Sequence, residues 1–443
     1  MGTNDNFDAI IVGAGPAGLA VASELCGKFN LLVLEKGTAG TSDRFWFVPP
    51  SVLDRKVKPF SYGGVTRFLT RTYSMQGDDL AWRAKLYKSY PYIDDARLLS
   101  HWVTTIRSAG STILDGCTYL RHDTSTSGVT VTTSLGTFSG RLLIDASGFD
   151  SPIVKQYGID RSDFYWWSVY GAVGEHPDGI GSMQVGDYMM WQTFADADPG
   201  SLAQGKPVFE YEILDEKRSF SLILYLKKNL VDLETMKKEY LRIISSEEST
   251  RDFRNLKVEN FRYGWYPSGG LSQQIAEERV AFVGDAGCWT TPCGWGMTFI
   301  LHFYRTFTKQ LAPLLRKDRL DRESLLGIVT HSAHEKYQTM LNVVATHFLA
   351  NASTSQLDRF IRLFKKVDPI LCEKMFTLTM SQEELAEVLV VVLKEFSIEE
   401  LGSIIPALGV RDLFEAIGYC AEDLLIDSFK ALLGHHERCG FGG

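Results

Sequence analysis

The stretch Asp8-Ala9-Ile10-Ile11-Val12-Gly13-Ala14-Gly15-Pro16-Ala17-Gly18-Leu19-Ala20 constrains this chain more than any other. A β-branched apolar run of strand length passes directly into Gly-x-Gly-x-x-Gly. A small-residue helical pattern follows from Leu19 to Cys26, and a second apolar run, Leu31 to Leu34, ends at Glu35-Lys36. The spacing predicts a βαβ unit built to hold a dinucleotide. Gly13 permits the tight turn out of the strand, Gly15 lets the backbone approach a pyrophosphate, and Gly18 lets the helix pack close to the sheet. The helix start, Ala14-Gly15-Pro16-Ala17, presents unpaired N–H groups and a partial positive charge to phosphates. Glu35 falls about twenty residues after the glycines, where a carboxylate accepts ribose hydroxyls.

A chain of 443 residues buries a large core and is expected to fold as two or more coupled subdomains. A formal net charge of -8 argues against a phosphate-backbone partner, and no basic stripe or nucleic-acid motif is present. The seven cysteines are odd in number and scattered, and Met1 to Asn6 is polar. That pattern predicts a reducing, cytoplasmic setting without structural disulfides. No apolar run reaches the roughly 20 residues a membrane span needs. The nine histidines show no metal spacing.

Along the chain, residues 37–90 are irregular and suit an excursion from the first sheet that lines a pocket. Leu98, Leu99, Trp102, Val103 and Ile106 recur with helical period. Residues 164–227 read as an inserted antiparallel sheet, with Asp215-Glu216-Lys217-Arg218 turning one hairpin. A short strand, Arg279 to Val283, runs into Gly284-Asp285-Ala286-Gly287, and the pattern from Thr298 onward is helical. The expected domains are a discontinuous nucleotide-binding unit over 1–160 and 255–310, a substrate sheet over 161–254, and a helical region over 311–443.

The strand ending in Gly284-Asp285, followed by Pro292-Cys293-Gly294-Trp295-Gly296-Met297, resembles the two-domain flavoproteins related to aromatic hydroxylases. The resemblance implies FAD rather than a resident nicotinamide. In that family the aspartate bonds the ribityl chain, and the helix after Pro-x-Gly-x-Gly points its N-terminus at the flavin. A helix dipole there stabilises negative charge on a reduced flavin. Asp285 is therefore a ribityl ligand or, alternatively, a helix N-cap. Arg97 resembles the family's arginine near the FAD; a solvated helix-start arginine is the alternative.

Three further stretches narrow the branch. Leu142 to Pro152, with Asp145-Ala146-Ser147-Gly148-Phe149, resembles the Asp-Ala-Thr-Gly-Phe segment of lycopene cyclases. Ser168 to Glu175 resembles their Ala-Tyr-Gly-x-x-x-Glu strand. Tyr263-Gly264-Trp265-Tyr266-Pro267 is similar to segments of both geranylgeranyl reductases and the cyclases. The implied fold is mixed α/β: a doubly wound, Rossmann-like FAD-binding domain, an antiparallel substrate-binding sheet and a helical C-terminal region. One departure matters. The cyclases carry Phe-x-Glu-Glu-Thr on the second hairpin strand, whereas Leu222 and Ile223 stand here in Phe220-Ser221-Leu222-Ile223-Leu224. Neither donates a proton.

Glu210 and Glu212, on the preceding strand and on one face by period two, are a substitute acid or exposed strand-edge carboxylates, the second being the expectation. Tyr263 and Trp265 are the other catalytic candidates. Phe45, Trp46, Trp166, Trp167, Tyr211 and Trp295 are expected to join them in lining the pocket. Cys288 and Cys293 read as buried thiols, with a redox role as the alternative. The expected function is an FAD-dependent oxidoreductase acting on a lipophilic, isoprenoid- or polyene-like molecule, with NAD(P)H as a transient donor. A flavin monooxygenase or halogenase, a non-redox cyclase or isomerase using reduced FAD, and a flavin-holding binding protein are the alternatives. Peripheral membrane contact through the helical tail stays open.

Overall fold

The computed structural model describes residues 6–42, 44–70, 82–162, 164–192, 205–268, 275–289, 296–328, 345–363 and parts of 366–400. The chain opens with β1 (Asn6–Val12), α1 (Pro16–Leu25) and β2 (Leu31–Leu34), as the glycine motif requires. It then leaves for a second sheet through β3 (Trp46–Phe47), β4 (Ser61–Thr70) and β5 (Trp82–Ile93). It returns through α2 (Asp95–Ser108) to β6 (Thr112–Leu114). Asp94 caps α2 by accepting from the Arg97 N–H at 3.1 Å, and Leu98, Leu99, Trp102, Val103 and Ile106 form its buried face.

A β7–β8 hairpin (Tyr119–Ser125, Gly128–Thr133) leads into β9 (Gly136–Asp145) and the short helix α3 (Pro152–Gln156). The second sheet then takes β10 (Tyr165–Glu175), β11 (Asp187–Gln192), β12 (Val208–Ile213) and β13 (Arg218–Lys227). Helix α4 (Leu233–Ser246) precedes β14 (Lys257–Ser268). The first sheet is completed by β15 (Ala276–Glu277) and β16 (Val280–Phe282). Helices α5 (Gly296–Lys317) and α6 (Arg322–Leu326) follow, with further helices at Thr354–Leu363 and Gln382–Glu395.

The first sheet runs β15-β16-β9-β1-β2-β6 and is parallel from β16 to β6. Both faces are covered, so β1 and β2 are continuous apolar runs rather than alternating ones. Ala9, Ile11, Leu31 and Val33 face α1, α2 and α5, while Ile10, Val12, Leu32 and Leu34 face β7, β8 and α3. This is the expected three-layer, doubly wound unit.

The second sheet runs β14-β10-β13-β12-β11-β4-β5-β3 and is antiparallel except where β4 meets β11. Its strands come from 46–93 and 257–268 as well as from the 161–254 expected of it. Sheet membership rests on backbone pairing between distant segments, which leaves no trace in local composition. One face, through Tyr170, Tyr211, Ile223 and Tyr225, packs on Met236, Tyr240 and Ile243 of α4. The other holds Trp167, Tyr188, Phe220, Leu222 and Leu224, joined by Leu349, Ala350 and Leu357 from the C-terminal helices.

Candidate active site

The loops after β1, β9 and β16 meet at the carboxyl ends of three adjacent parallel strands, the crevice where open α/β sheets take their ligands. Gly13 has a φ of +104°, and a Cβ there would sit 2.4 Å from the Ala146 carbonyl oxygen. A Cβ on Gly18 would sit 2.0 Å from the Gly13 carbonyl oxygen, and one on Gly284 would sit 2.7 Å from the Ala17 Cβ. These three glycines lock the loops together. Gly15 differs: nothing lies within 4 Å of its Cβ position, so the α1 N-terminus is open for a pyrophosphate to approach. The Glu35 carboxylate accepts from Ala14 N–H at 2.8 Å and Gly37 N–H at 2.9 Å, and keeps lone pairs for ribose hydroxyls. Lys36 beside it is exposed.

Two aspartates close the crevice. Asp145 is fully buried and accepts from Ser147 Oγ at 2.6 Å and Ser151 Oγ at 2.5 Å. Burial pushes its carboxyl up against the pull of those donors and of Arg161. Burial likewise pushes Asp285 up to about 6, against the opposing charges of Arg44 and Arg161. Asp285 is half-buried, and a poorly solvated carboxyl at this strand end suits a hydroxyl-bearing chain that would supply hydrogen bonds. Arg161 Nη2 donates to the Ala286 carbonyl at 2.5 Å and lies 3.8 Å from Cys288 Sγ. Cys26, Cys117 and Cys288 are free thiols among the described residues.

Between the crevice and the second sheet lies a cavity of about 150 Å³. Met297, in the first turn of α5, closes it from the nucleotide side, and Gly296 beside it has open space at its Cβ position. Phe45, Trp46, Phe47, Val169, Phe220, Leu222, Leu224 and Tyr266 form its apolar walls, with Arg44 and Arg262 among its polar ones.

Glu210 and Glu212 also line the cavity, each about 5% exposed, which corrects the expectation of exposed strand-edge carboxylates. β12 is an interior strand between β11 and β13, so both of its faces are covered. Tyr188 donates to Glu210 Oε2 at 2.8 Å. Burial first, and then the Glu210 carboxylate nearby, push Glu212 well above the usual carboxylate range, with Tyr92 opposing the rise. Among the described residues, Glu212 Oε2 has no hydrogen-bond partner. Glu210 is the direct cross-strand partner of Leu222, the position at which an acid was found missing.

The other catalytic candidates fall elsewhere. On β14, Gly264 and Tyr266 face the cavity, so period two turns Trp265 to the opposite face. There Trp265 packs among the residues covered by α4, and its Nε1 donates to the Val231 carbonyl at 2.9 Å. Tyr263 touches the rim of the cavity, but its ring is 48% exposed and lies edge-on to Trp265 at 5.9 Å. Tyr211 packs on Phe253 beneath α4 for the same reason. Trp167 lies in the core on the cavity side, stacked on Tyr266, and Trp166 packs against Phe149. Arg97 has local partners: its side chain is 68% exposed, 3.6 Å from Asp94 and over the Phe60 ring. Pro292, Cys293, Gly294 and Trp295 lie outside the described residues.

Arg44, Tyr92, Arg161, Tyr188 and Arg262 also belong to the site, and none of them stands in a motif that points to it on its own. Arg262 carried a usable signal, since it shares the period-two face of Gly264 and Tyr266 in the Tyr263–Pro267 stretch. The remaining four are joined to the site by tertiary contacts alone. No group of described residues could hold a metal ion, and no described helix is long and apolar enough to cross a membrane.

The model of the lycopene cyclase protein family matches residues 8–401. The chain belongs to the lycopene cyclase family. A comparison with curated proteins finds no match. Among solved structures, a geranylgeranyl bacteriochlorophyll reductase-like protein from Thermoplasma acidophilum superposes with a TM-score of 0.66 at 15% identity, over 91% of this chain and 100% of that one. The halogenase PltM in complex with FAD gives 0.60 at 11% identity, over 94% and 85%. PqsL, a probable FAD-dependent monooxygenase from Pseudomonas aeruginosa, gives 0.57 at 14%, over 82% and 99%. These likenesses establish the fold. Leu222 and Ile223 stand where the resemblance to the cyclases places two acids; Glu210 lies directly across from Leu222, and Glu212 across from Phe220.

Proposed function

We propose that this protein is an FAD-dependent oxidoreductase that transforms a lipophilic small molecule in the cavity beside α5, with Glu210 and Glu212 exchanging a proton with it. The observation that carries the reading is a buried carboxyl pair, with Glu212 Oε2 unbonded among the described residues, facing an apolar cavity whose other wall begins at the α5 N-terminus. The turn Gly13-Ala14-Gly15-Pro16-Ala17-Gly18 would hold the pyrophosphate, Glu35 the adenosine ribose and Asp285 the ribityl chain. When bound, the flavin supplies a two-electron donor or acceptor.

The chain's own residues do the rest. Two carboxyls on one face of a strand, roughly 7 Å apart by strand rise, disfavour ionising together in an apolar setting. Glu212 keeps its proton, and Glu210 accepts the Tyr188 hydroxyl. A pair in that state can hand the Glu212 proton to a substrate carbon or oxygen over Leu222, leaving a carboxylate that takes a proton back when product departs and solvent enters the cavity. Phe45, Trp46, Phe47 and Phe220 exclude the water that would compete for it. NAD(P)H would act as a transient donor.

A second reading has the same acids as its support. Acid-driven cyclisation or isomerisation, with reduced FAD kept for its charge, needs a buried proton donor and no net electron transfer. An absorbance spectrum of purified protein, followed during anaerobic NADPH addition and turnover, tests both. Absence of flavin after reconstitution sinks both readings. Stoichiometric NADPH consumption supports the oxidoreductase; product formed without it selects the isomerase.

A further inference from the structure

We infer that the ligand of this cavity is not a hydrocarbon but an amphiphile, whose anionic carboxylate or phosphate is held by Arg44 and Arg262 while its apolar body extends toward Glu210 and Glu212. The inference deepens the proposed function and rests on the cavity being its substrate site.

Arg44 and Arg262 both line the cavity. Arg44 is exposed at the rim and Arg262 half-buried; neither makes an ion pair among the described residues, and Nε of Arg262 is buried with no hydrogen-bond partner. The carboxylates that feel them, Asp285 for Arg44 and Asp95 for Arg262, do so only as charges at a distance. The backbone makes room for this cationic end. A Cβ at Gly264, the β14 residue two along from Arg262, would fall 2.2 Å from Arg44 Nη1. Any side chain there would displace the guanidinium.

The two ends are set by register. Arg262 pairs with Gly171, Gly171 with Leu222, and Leu222 with Glu210. Three strand spacings separate the guanidinium side from the acid side, roughly 14 Å at the backbone. Between them the floor is Val169, Leu222 and Leu224, with Gly171 contributing no side chain. A slot with cations at one end, carboxyls at the other and aliphatic groups between matches an elongated amphiphile in one orientation.

A hydrocarbon filling this slot would leave the buried Nε of Arg262 without a hydrogen bond and give the exposed Arg44 guanidinium nothing to hold. A carboxylate or phosphate instead meets the guanidinium fork through charge-assisted, two-point hydrogen bonds. Anchoring that group fixes which atom of the apolar body lies over Leu222, beside the acids. Specificity for the head group and the position of proton transfer are thus one feature of the slot.

The test is quenching of intrinsic protein fluorescence by matched pairs, all-trans-retinoic acid against all-trans-retinol and farnesyl diphosphate against farnesol. The anionic member of at least one pair should bind roughly tenfold tighter, or about 1.4 kcal/mol, and which pair does so distinguishes a carboxylate from a phosphate head. The gap should narrow as salt rises. Arg262→Gln and Arg44→Gln should each reduce it to about threefold or less, with affinity for the neutral partner held. Equal affinities within both pairs, or a preference untouched by either variant, would overturn the inference. Should a variant fail to fold, the salt dependence of the unaltered protein decides. Because the readout does not involve flavin, a protein that binds no FAD sinks the proposed cofactor while leaving the anion preference measurable.

Discussion

The two sheets of this protein carry their chemistry in opposite ways. The parallel sheet offers backbone: N–H groups at the α1 start, glycines that keep loops close, and one carboxylate pinned by two amides. The second sheet offers side chains from β10, β12, β13 and β14 brought to one face by register. A backbone site tolerates little change at the atoms that shape it. A side-chain site is assembled by register between strands, as Glu210 beside Leu222 illustrates.

The sharpest way to break this comparison is at the glycines. Gly13→Ala places a Cβ 2.4 Å from the Ala146 carbonyl in a left-handed backbone, and should destabilise the fold by about 3 kcal/mol or more and abolish flavin binding. Gly15→Ala meets no atom within 4 Å, so its melting temperature should change little while bound flavin is lost. Thermal melts and flavin content after gel filtration separate the two. Equal melting losses in both would show that Gly15 is not reserved for a ligand.

Next in size is Glu212→Gln. It removes the transferable proton and should lower turnover roughly a hundredfold, while relieving a buried carboxyl and leaving the melting temperature equal or higher. An unchanged rate would remove the acid pair from the mechanism.

Asp285→Asn probes the parallel sheet by pH. A carboxyl with a folded pKa of about 6 and an ordinary value of 3.8 is penalised in its charged form. In flavin-free protein, stability therefore falls as pH rises from 3.8 through 6 and is flat above, by up to about 3 kcal/mol. The asparagine variant should lack that slope, melting higher than the parent above pH 6 and alike near pH 3.5, yet bind flavin more weakly. A parent whose stability rises across that window would contradict the upward shift of the Asp285 carboxyl.

The smallest effects should lie on the α4 face. Trp265→Phe loses the hydrogen bond to Val231 and should cost about 1 kcal/mol of stability. Tyr263→Phe should cost less than about 0.5 kcal/mol. Turnover should stay within twofold for both. A large kinetic loss at either would move the reactive zone to the other side of the sheet.

How much was legible follows from where each signal resides. The βαβ unit, the strand at Val280–Phe282, helix α2 and the β12–β13 hairpin are written in local spacing and were read from it. So was the presence of aromatic residues 45 and 46 in a pocket. The face of a strand is another matter: period two tells that Glu210 and Glu212 share a side, as Gly264 and Tyr266 do, but not which side is covered by α4. That left Trp265 and Tyr211 expected in the cavity they turn away from, and the two glutamates expected in solvent.

The sequence by itself determined the nucleotide fold, because a tight turn, a close helix and a terminal carboxylate need fixed residue types at fixed short spacings. It also determined that the family's acids are missing from β13. Only the tertiary structure decided that β12 lies in the interior of its sheet, that its glutamates are buried beside Leu222, and that two arginines from segments more than two hundred residues apart face the same cavity. Strand order and burial depend on pairings between distant segments, and backbone hydrogen bonds make those pairings without regard to side-chain identity.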